Sequence, residues 1–164
     1  FPTSRQHIYR PDRLLDFTPI MLPEKELWIL HPTGETPPSN QDPAKVQVLL
    51  LDGSWAQAGD MARELSGRGR RVCLPMSGKS RYWLRSQQDI AGRFSTVEAL
   101  LFLMQALGLQ ETHDALQLQF ELHVYAGLRT RGHRAEAEGY LAESPIRTAF
   151  PELLQQLENP RTRT

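Results

Sequence analysis

The segment from Val46 to Gln57 constrains the fold of this chain more than any other part of the sequence. Val46–Leu51 is a short β-type run whose last half is apolar on both faces, which is typical of a strand inside a covered parallel sheet. Ser54 with Gln57 three residues later is a capping-box pattern, which predicts a helix that begins at Trp55. A strand that passes directly into a helix predicts an α/β fold.

Further strands and helices are predicted along the chain. The apolar run Glu26–Leu30 predicts a buried strand, and Arg71–Leu74 predicts a second short one. Ser95 with Glu98 is another capping box, which predicts an apolar helix that ends at Gly108. These alternating elements support the α/β prediction.

The ends of the chain are less regular. The segment around residues 112–128 alternates like a strand but also has a four-residue helical step, and its length favours a helix. We also predict a short helix near Asp12–Phe17 and a last helix after Pro151. No motif is apparent after about residue 135.

Turn-forming residues predict two loops. His31–Asn40 is dense in Pro, Gly, Ser and Thr, and Met76–Gly92 is predicted as mainly loop, with a possible extended stretch at Arg81–Leu84. In α/β folds, ligands bind at the carboxyl ends of the strands. We therefore expect His31–Glu35 and Asp52–Ser54 to lie at one edge of the sheet.

Composition limits the possible functions. The net charge is zero, which argues against electrostatic binding over the whole surface. Seven basic residues nevertheless lie between Arg68 and Arg93, with Asp89 as the only acid there. Arginine suits phosphate and carboxylate, so this window predicts a local site for an anion, the alternative being a solvated arginine-rich surface.

Several features point to a cytoplasmic protein. Cys73 is the only cysteine, which excludes an internal disulfide and a multi-cysteine zinc site, and we expect no metal ion. No apolar run is long enough to span a bilayer, and no signal segment is recognisable. The chain does not begin with Met, so we expect it to start within a longer gene product.

The Asp52–Trp55 turn carries the residues best suited to chemistry. Gly53 permits a sharp turn and a close ligand, and amides at the helix start can hold a carboxylate. Asp52 could accept hydrogen bonds from an amine or a hydroxyl, or remove a proton. The alternative is a capped strand-to-helix junction with Trp55 in the core.

The segment Arg81–Arg85 alternates cations with aromatic side chains. Such residues in a loop bind nucleic acid by stacking and by phosphate pairing. The alternative is a set of surface arginines packed along half-buried aromatic rings.

Three motifs in order resemble the DTW-domain family. Leu51–Ala58 resembles the family's Asp-x-Thr-Trp core followed by Ala, with Ser54 in place of Thr. Ser80–Arg85 resembles its Ser-x-Tyr-x-x-Arg element, and Gly92–Ala99 resembles its Ser/Thr-Thr-x-Glu-Ala helix start. His31–Glu35 lies where members carry a Pro-rich loop, and the order and spacing agree over roughly residues 27 to 130.

The resemblance implies a fold and a reaction. The fold is a SPOUT-like sheet with helices on both faces and a C-terminal trefoil knot that binds S-adenosylmethionine. The reaction is that of tRNA-uridine aminocarboxypropyltransferases, which move the 3-amino-3-carboxypropyl group to N3 of a tRNA uridine and release methylthioadenosine. Residues 1–164 would form a single DTW-type catalytic domain, and nothing in them matches the family's N-terminal cysteine-rich segment.

Site residues are assigned from the resemblance together with the local chemistry. We expect Asp52 and Arg85 to be the catalytic residues. The residues assigned to the cofactor S-adenosylmethionine are His31, Pro32, Asp52, Gly53, Ser54, Trp55, Tyr82, Ser95, Thr96 and Glu98, and those assigned to RNA are Arg68, Arg70, Arg81 and Arg93.

Alternatives to this function also remain. One is a SPOUT-like RNA methyltransferase that uses the same cofactor. Another is a non-catalytic RNA-binding or assembly domain. A ribosomal RNA substrate in place of tRNA is a further possibility.

Overall fold

The computed structural model describes residues 4–10, 12–13, 16–82 and 94–158. These residues form a mixed α/β structure with a small parallel sheet of three strands and six α-helices. The chain divides into two units, Phe1–Met76 and Ser77–Thr164. Within the described ranges, none of the helices combines the length and the apolar composition that crossing a membrane requires.

The first unit contains the sheet. Its strands are β1 (Glu26–Glu35), β2 (Val46–Leu49) and β3 (Arg70–Val72), in the order β2-β1-β3, and both pairings are parallel. A 3-10 helix, Pro43–Lys45, precedes β2, and helix α1 (Trp55–Glu64) connects β2 to β3. The predicted α/β architecture is therefore confirmed at this level.

The central strand β1 carries the core of the first unit. Trp28 and Ile29 are both fully buried, and because alternate residues of a strand point to opposite faces, both faces of β1 are covered. Leu27 and Ile29 pack with Leu65, which directly follows α1. Arg71 of β3 donates a hydrogen bond to the Ala62 carbonyl oxygen at 2.7 Å, which joins β3 to α1.

The structure corrects the loop prediction for His31–Asn40, because β1 continues to Glu35. Leu30 and Glu35 both pair with Val72, so the residues between them form a bulge. A Cβ atom at Gly34 would lie 2.6 Å from backbone atoms of Arg71 and Val72. Glycine therefore signals close packing of two strands here, whereas in the sequence it resembles a turn residue.

The second unit is helical in its described residues. Its helices are α2 (Thr96–Ala106), α3 (Gln110–Thr130), α4 (Arg134–Ala142), α5 (Ile146–Ala149) and α6 (Pro151–Glu158). The core of this unit forms around α3, whose residues Phe120, Val124 and Leu128 are buried with Ile146 and other apolar side chains. The four-residue step of these positions confirms the helix predicted there.

Most of the predicted helix ends are confirmed. Helices α1 and α2 begin at the predicted capping boxes, and Gly67 and Gly108 follow their ends with φ of +76° and +69°. Helix α6 begins at Pro151, as predicted. The predicted strand after residue 70 is shorter than expected, and β2 ends at Leu49 instead of Leu51.

Two helices, α4 and α5, are missing from the sequence-based prediction. Helix α4 buries only Ala137 and Leu141 on an otherwise polar surface, so its apolar period is weak. Helix α3 begins at Gln110, two residues before the segment in which a helix is predicted. The predicted short helix near Asp12–Phe17 includes residues 14 and 15, which lie outside the described residues.

Candidate functional site

The first candidate region lies at the carboxyl edge of the parallel sheet. We call it the strand-end region and define it as His31–Gly34 in the β1 bulge and Asp52–Trp55 after β2. Because β2 and β3 lie on opposite sides of β1, the strand order reverses at β1. In open α/β sheets, ligands bind beyond the carboxyl ends of the strands at such a reversal. The topology thus brings the two predicted segments to one edge.

The Asp52–Trp55 turn is held by the predicted capping box. The Ser54 hydroxyl accepts a hydrogen bond from the Gln57 amide at 3.3 Å, and the Gln57 side-chain oxygen accepts one from the Ser54 amide at 2.8 Å. Asp52, Gly53, Ser54 and Trp55 are all exposed. This end of α1 carries the positive end of the helix dipole and therefore favours an anion.

Gly53 lies next to the Gln57 side chain of the same capping box, which leaves little space for a Cβ atom. A Cβ atom at this position would lie 3.1 Å from Gln57 Oε1, the oxygen that accepts the Ser54 amide proton. A side chain at position 53 would therefore push against the box that begins α1. Trp55 is 45% exposed, so it does not belong to the core of the first unit.

The surroundings of His31 favour the neutral form of its ring. Burial, assisted by the positive charge of Arg71, holds the pKa of His31 below its ordinary value. The Thr33 amide donates to His31 Nδ1 at 3.2 Å, and Thr33 Oγ1 lies 2.9 Å from the same nitrogen. Since Nδ1 accepts, the proton of the neutral ring is on Nε2, which leaves Nε2–H as a donor.

The second candidate region lies in the second unit and consists of Ser80, Arg81 and Tyr82, which we call the anchored segment. Glu98 of α2 accepts hydrogen bonds from the Ser80 hydroxyl at 2.8 Å and from the Arg81 amide at 2.7 Å. The same carboxylate accepts hydrogen bonds from the Ser95 amide at 2.7 Å and from the Ser95 hydroxyl at 2.8 Å. Glu98 is only 6% exposed, and it joins the anchored segment to the start of α2.

Arg81 forms a bidentate ion pair with Glu121 of α3. Its Nε lies 2.6 Å from Oε1 and its Nη2 lies 2.8 Å from Oε2. The hydrogen bond from Arg81 to Glu121 raises the pKa of the guanidinium above its ordinary value, although burial opposes this. Burial would raise the pKa of Glu121, but hydrogen bonds, of which those from Arg81 have the largest effect, outweigh it and lower that pKa.

Aromatic rings complete the surroundings of this pair. The Arg81 guanidinium lies over the Tyr140 ring at 4.4 Å. Burial and the neighbouring Glu121 carboxylate raise the pKa of the Tyr140 hydroxyl, so Tyr140 stays neutral. The Tyr82 ring lies 6.4 Å from the Phe120 ring, and the Tyr82 amide donates to the Ser80 hydroxyl at 3.1 Å.

The four arginines predicted to bind RNA differ in their surroundings. Arg70 pairs with Glu35 at 3.0 Å and with Glu26 at 3.7 Å, whereas Arg68 is exposed and lies over the Phe17 ring at 4.7 Å. Arg68 follows α1, which runs back from the carboxyl edge for about 15 Å, so it is not near Asp52. Arg93, like the catalytic candidate Arg85, lies outside the described residues.

Glu121 and Tyr140 are absent from the sequence-based assignment. A signal for Glu121 exists, because it is a carboxylate between Phe120 and Val124 on the apolar stripe of α3. A charge in such a stripe indicates a buried partner, since an unpaired buried carboxylate is costly. Nothing in the sequence identifies that partner as Arg81, which is 40 residues away.

Comparison with family models gives one match, to the DTW domain, over residues 13–126. Neither a search of curated proteins nor a search of solved structures gives a match. The matched range covers more than half of the chain and includes the Asp52–Trp55 turn, the anchored segment and the start of α2. This chain therefore belongs to the DTW-domain family.

Proposed function

We propose that this protein transfers the 3-amino-3-carboxypropyl group of S-adenosylmethionine to N3 of a uridine in tRNA, releasing methylthioadenosine. The observation that carries the proposal is the DTW-domain match over residues 13–126. Membership of this family indicates a role in tRNA modification. The specific group, donor and acceptor atom are the proposal.

The strand-end region fits the donor molecule. S-adenosylmethionine carries a carboxylate, an ammonium group and an adenine ring. The positive end of α1 suits the carboxylate, the exposed Asp52 carboxylate suits the ammonium group, and the 45% exposed Trp55 suits the adenine ring. Gly53 leaves room for a ligand close to the backbone.

The protein's part in the reaction is to position the reacting atoms. When bound, S-adenosylmethionine supplies a sulfonium that activates the γ-carbon of its amino-acid chain. Three carbons adjoin a sulfonium, so the residues that hold the amino-acid tail decide which one meets uridine N3. We assign Asp52 to this step, either as the partner of the ammonium group or as the base that accepts the N3 proton.

His31 and Pro32 have a secondary part in this site. Because His31 is neutral with its proton on Nε2, we propose that it donates a hydrogen bond to a polar group of the donor molecule. Its lowered pKa makes it unsuitable as a charged ligand near neutral pH. Pro32 follows it in the bulge of β1.

The resemblance also assigns Tyr82, Ser95, Thr96 and Glu98 to cofactor binding. Glu98 accepts hydrogen bonds from four donors of the chain, so we propose that it holds Ser80 and Ser95 in place and does not contact the donor molecule. Tyr82 would stack on an adenine or uracil ring.

The arginines complete the proposal. Arg85 would bind the donor carboxylate or an RNA phosphate. The sequence assigns Arg68, Arg70, Arg81 and Arg93 to RNA. Arg70 and Arg81 are ion-paired with carboxylates, so we propose that Arg68 and Arg93 make the RNA contacts.

The proposal includes the architecture of the enzyme. Residues 1–164 would form a single DTW-type catalytic domain with a SPOUT-like sheet, helices on both faces and a C-terminal trefoil knot, in a cytoplasmic enzyme. A crystal structure with S-adenosylmethionine would test this, and an unknotted chain or a donor bound away from Asp52 would contradict it.

The reaction itself is tested with purified protein, S-adenosylmethionine and tRNA. We expect methylthioadenosine as the product, and the modified uridine should be missing from the tRNA nucleosides of a strain that lacks the gene. S-adenosylhomocysteine as the product would indicate an RNA methyltransferase instead. No binding of millimolar S-adenosylmethionine by calorimetry would favour a non-catalytic RNA-binding domain.

A further inference from the structure

The anchored segment is held from two sides by buried carboxylates. Ser80, Arg81 and Tyr82 have no regular secondary structure. Glu98 of α2 binds the Ser80 hydroxyl and the Arg81 amide, and Glu121 of α3 binds the Arg81 guanidinium. The two glutamates are 6% and 1% exposed, so both charges have been removed from water.

Stability alone is a poor explanation for this arrangement. Removing charges from water is costly, and apolar side chains of similar volume often stabilise a fold equally well. Short hydrogen bonds to ionised groups are directional, and the bidentate contact of Arg81 at 2.6 and 2.8 Å fixes the orientation of the guanidinium. The carboxylates of Glu98 and Glu121 hold the anchored segment, which has no regular secondary structure, in one defined conformation.

A similar ion pair elsewhere in the second unit offers a comparison. Arg129 of α3 lies 3.1 Å from Glu138 of α4 and 5.9 Å from the Tyr125 ring. It joins two helices that have their own backbone hydrogen bonds, and the Glu138 side chain is 55% exposed. The chemistry matches that of Arg81, Glu121 and Tyr140, but the Arg129 pair does not fix an irregular segment.

We propose that Arg81 and Glu121 are positioning residues that hold the anchored segment so that the Tyr82 ring meets a purine or pyrimidine ring in a single orientation. This inference rests on the proposed function, in which Tyr82 stacks on adenine or uracil. The Tyr82 ring is partly buried against Phe120. Of the preceding residue, Arg81, Glu98 binds the backbone amide and Glu121 binds the guanidinium. A change in Glu121 would therefore reach the site through Tyr82, without any contact between Glu121 and a substrate.

The test compares Glu121→Gln and Arg81→Lys with the matched controls Glu138→Gln and Arg129→Lys, all in the full chain. Hydrogen exchange of a peptide that covers residues 77–82 reports on the segment itself. We expect exchange about tenfold faster in the first two variants and unchanged in the controls. We also expect the KM for S-adenosylmethionine or for tRNA to rise severalfold, with a smaller change in kcat.

Two results would overturn the inference. One is exchange in Glu121→Gln and Arg81→Lys no faster than in the controls. The other is faster exchange with both KM values unchanged. If Glu121→Gln does not fold, Arg81→Lys still tests the inference, because lysine keeps the positive charge but cannot form the bidentate contact with Glu121. If the wild-type protein makes no methylthioadenosine, the proposed function fails, while the exchange data still decide whether the pair fixes the segment.

Discussion

Asp52 is exposed at the carboxyl end of β2, so its side chain can be replaced without the loss of core packing. We expect Asp52→Asn to lower the rate of transfer roughly 100-fold or more, the scale of a lost general base. If Asp52 is the base, kcat should fall with the KM for S-adenosylmethionine unchanged. If it binds the ammonium group, that KM should rise.

The matched control for this variant is Asp60→Asn. Asp60 lies on α1 and forms an exposed ion pair with Arg63. We expect that variant to transfer at the wild-type rate. A wild-type rate and KM in Asp52→Asn, with folding unchanged by circular dichroism, would show that the site assignment is wrong.

His31 predicts a particular pH dependence of stability. In the unfolded chain it gains a proton near pH 6.5, whereas in the folded protein burial and Arg71 delay protonation to lower pH. The unfolded state therefore binds more protons in this window, and the free energy of unfolding decreases as the pH falls below 6.5. Below the pKa of His31 in the folded protein, the folded and the unfolded states both carry this proton. The contribution of His31 to the free energy of unfolding is then fully lost and no longer changes with pH.

Urea unfolding at about pH 7.5 and about pH 5.5 would measure this effect. We expect His31→Asn to lose part of the decrease that the wild-type protein shows. His123→Asn, at an exposed position on α3, is the control and should retain it. An equal decrease in His31→Asn and the wild type would contradict the assignment of a neutral His31.

At the scale of single elements, the bulge of β1 depends on Gly34. Two backbone segments meet at this residue, and a Cβ atom would lie 2.6 Å from the backbone of Arg71 and Val72. We expect Gly34→Ala to destabilise the protein by about 2–3 kcal/mol, since an inserted group against backbone forces β1 and β3 apart. Urea unfolding measures this.

Gly59→Ala is the control for that substitution. Gly59 lies in α1, and a Cβ atom there would have nothing within 4 Å apart from its chain neighbours and the nearby backbone of α1. Alanine is the better helix former, so we expect Gly59→Ala to stabilise the protein by about 0.5–1 kcal/mol. If Gly34→Ala and Gly59→Ala had the same free energy of unfolding, the close backbone contact at Gly34 would not exclude a larger residue at that position.

At the scale of the whole molecule, a net charge of zero means that the proposed binding of tRNA would depend on local groups. A phosphate contact contributes roughly 0.7–0.9 to the slope of log affinity against log salt concentration. Arg68 is exposed, and Arg70 is paired with Glu35 and Glu26. We therefore expect Arg68→Ala to reduce the slope for tRNA by about that amount and Arg70→Ala to leave it nearly unchanged.

Fluorescence anisotropy over a salt series would measure both slopes. Because Arg68 follows α1 toward the amino ends of the strands, kcat at saturating tRNA should be unchanged in Arg68→Ala. A larger loss of slope in Arg70→Ala than in Arg68→Ala would show that ion pairing does not decide which arginines contact RNA.

The sequence by itself determined the features of this protein that depend on neighbouring residues. The capping boxes at Ser54 and Ser95 involve residues three positions apart, so they predict the starts of α1 and α2 correctly. The apolar runs predict the three strands, and the ordered motifs predict the family. The Asp52–Trp55 turn was also predictable, because it lies between a recognisable strand and a recognisable helix.

Only the tertiary structure decided the features whose partners are distant in the sequence. The continuation of β1 to Glu35 depends on the backbone of β3, which Gly34 contacts. Arg81 resembles an RNA ligand in the sequence, yet Glu121, 40 residues later, binds its guanidinium. Ion pairs and close backbone contacts between distant residues leave no periodic pattern in the chain, so they are recognised only when the fold brings the partners together.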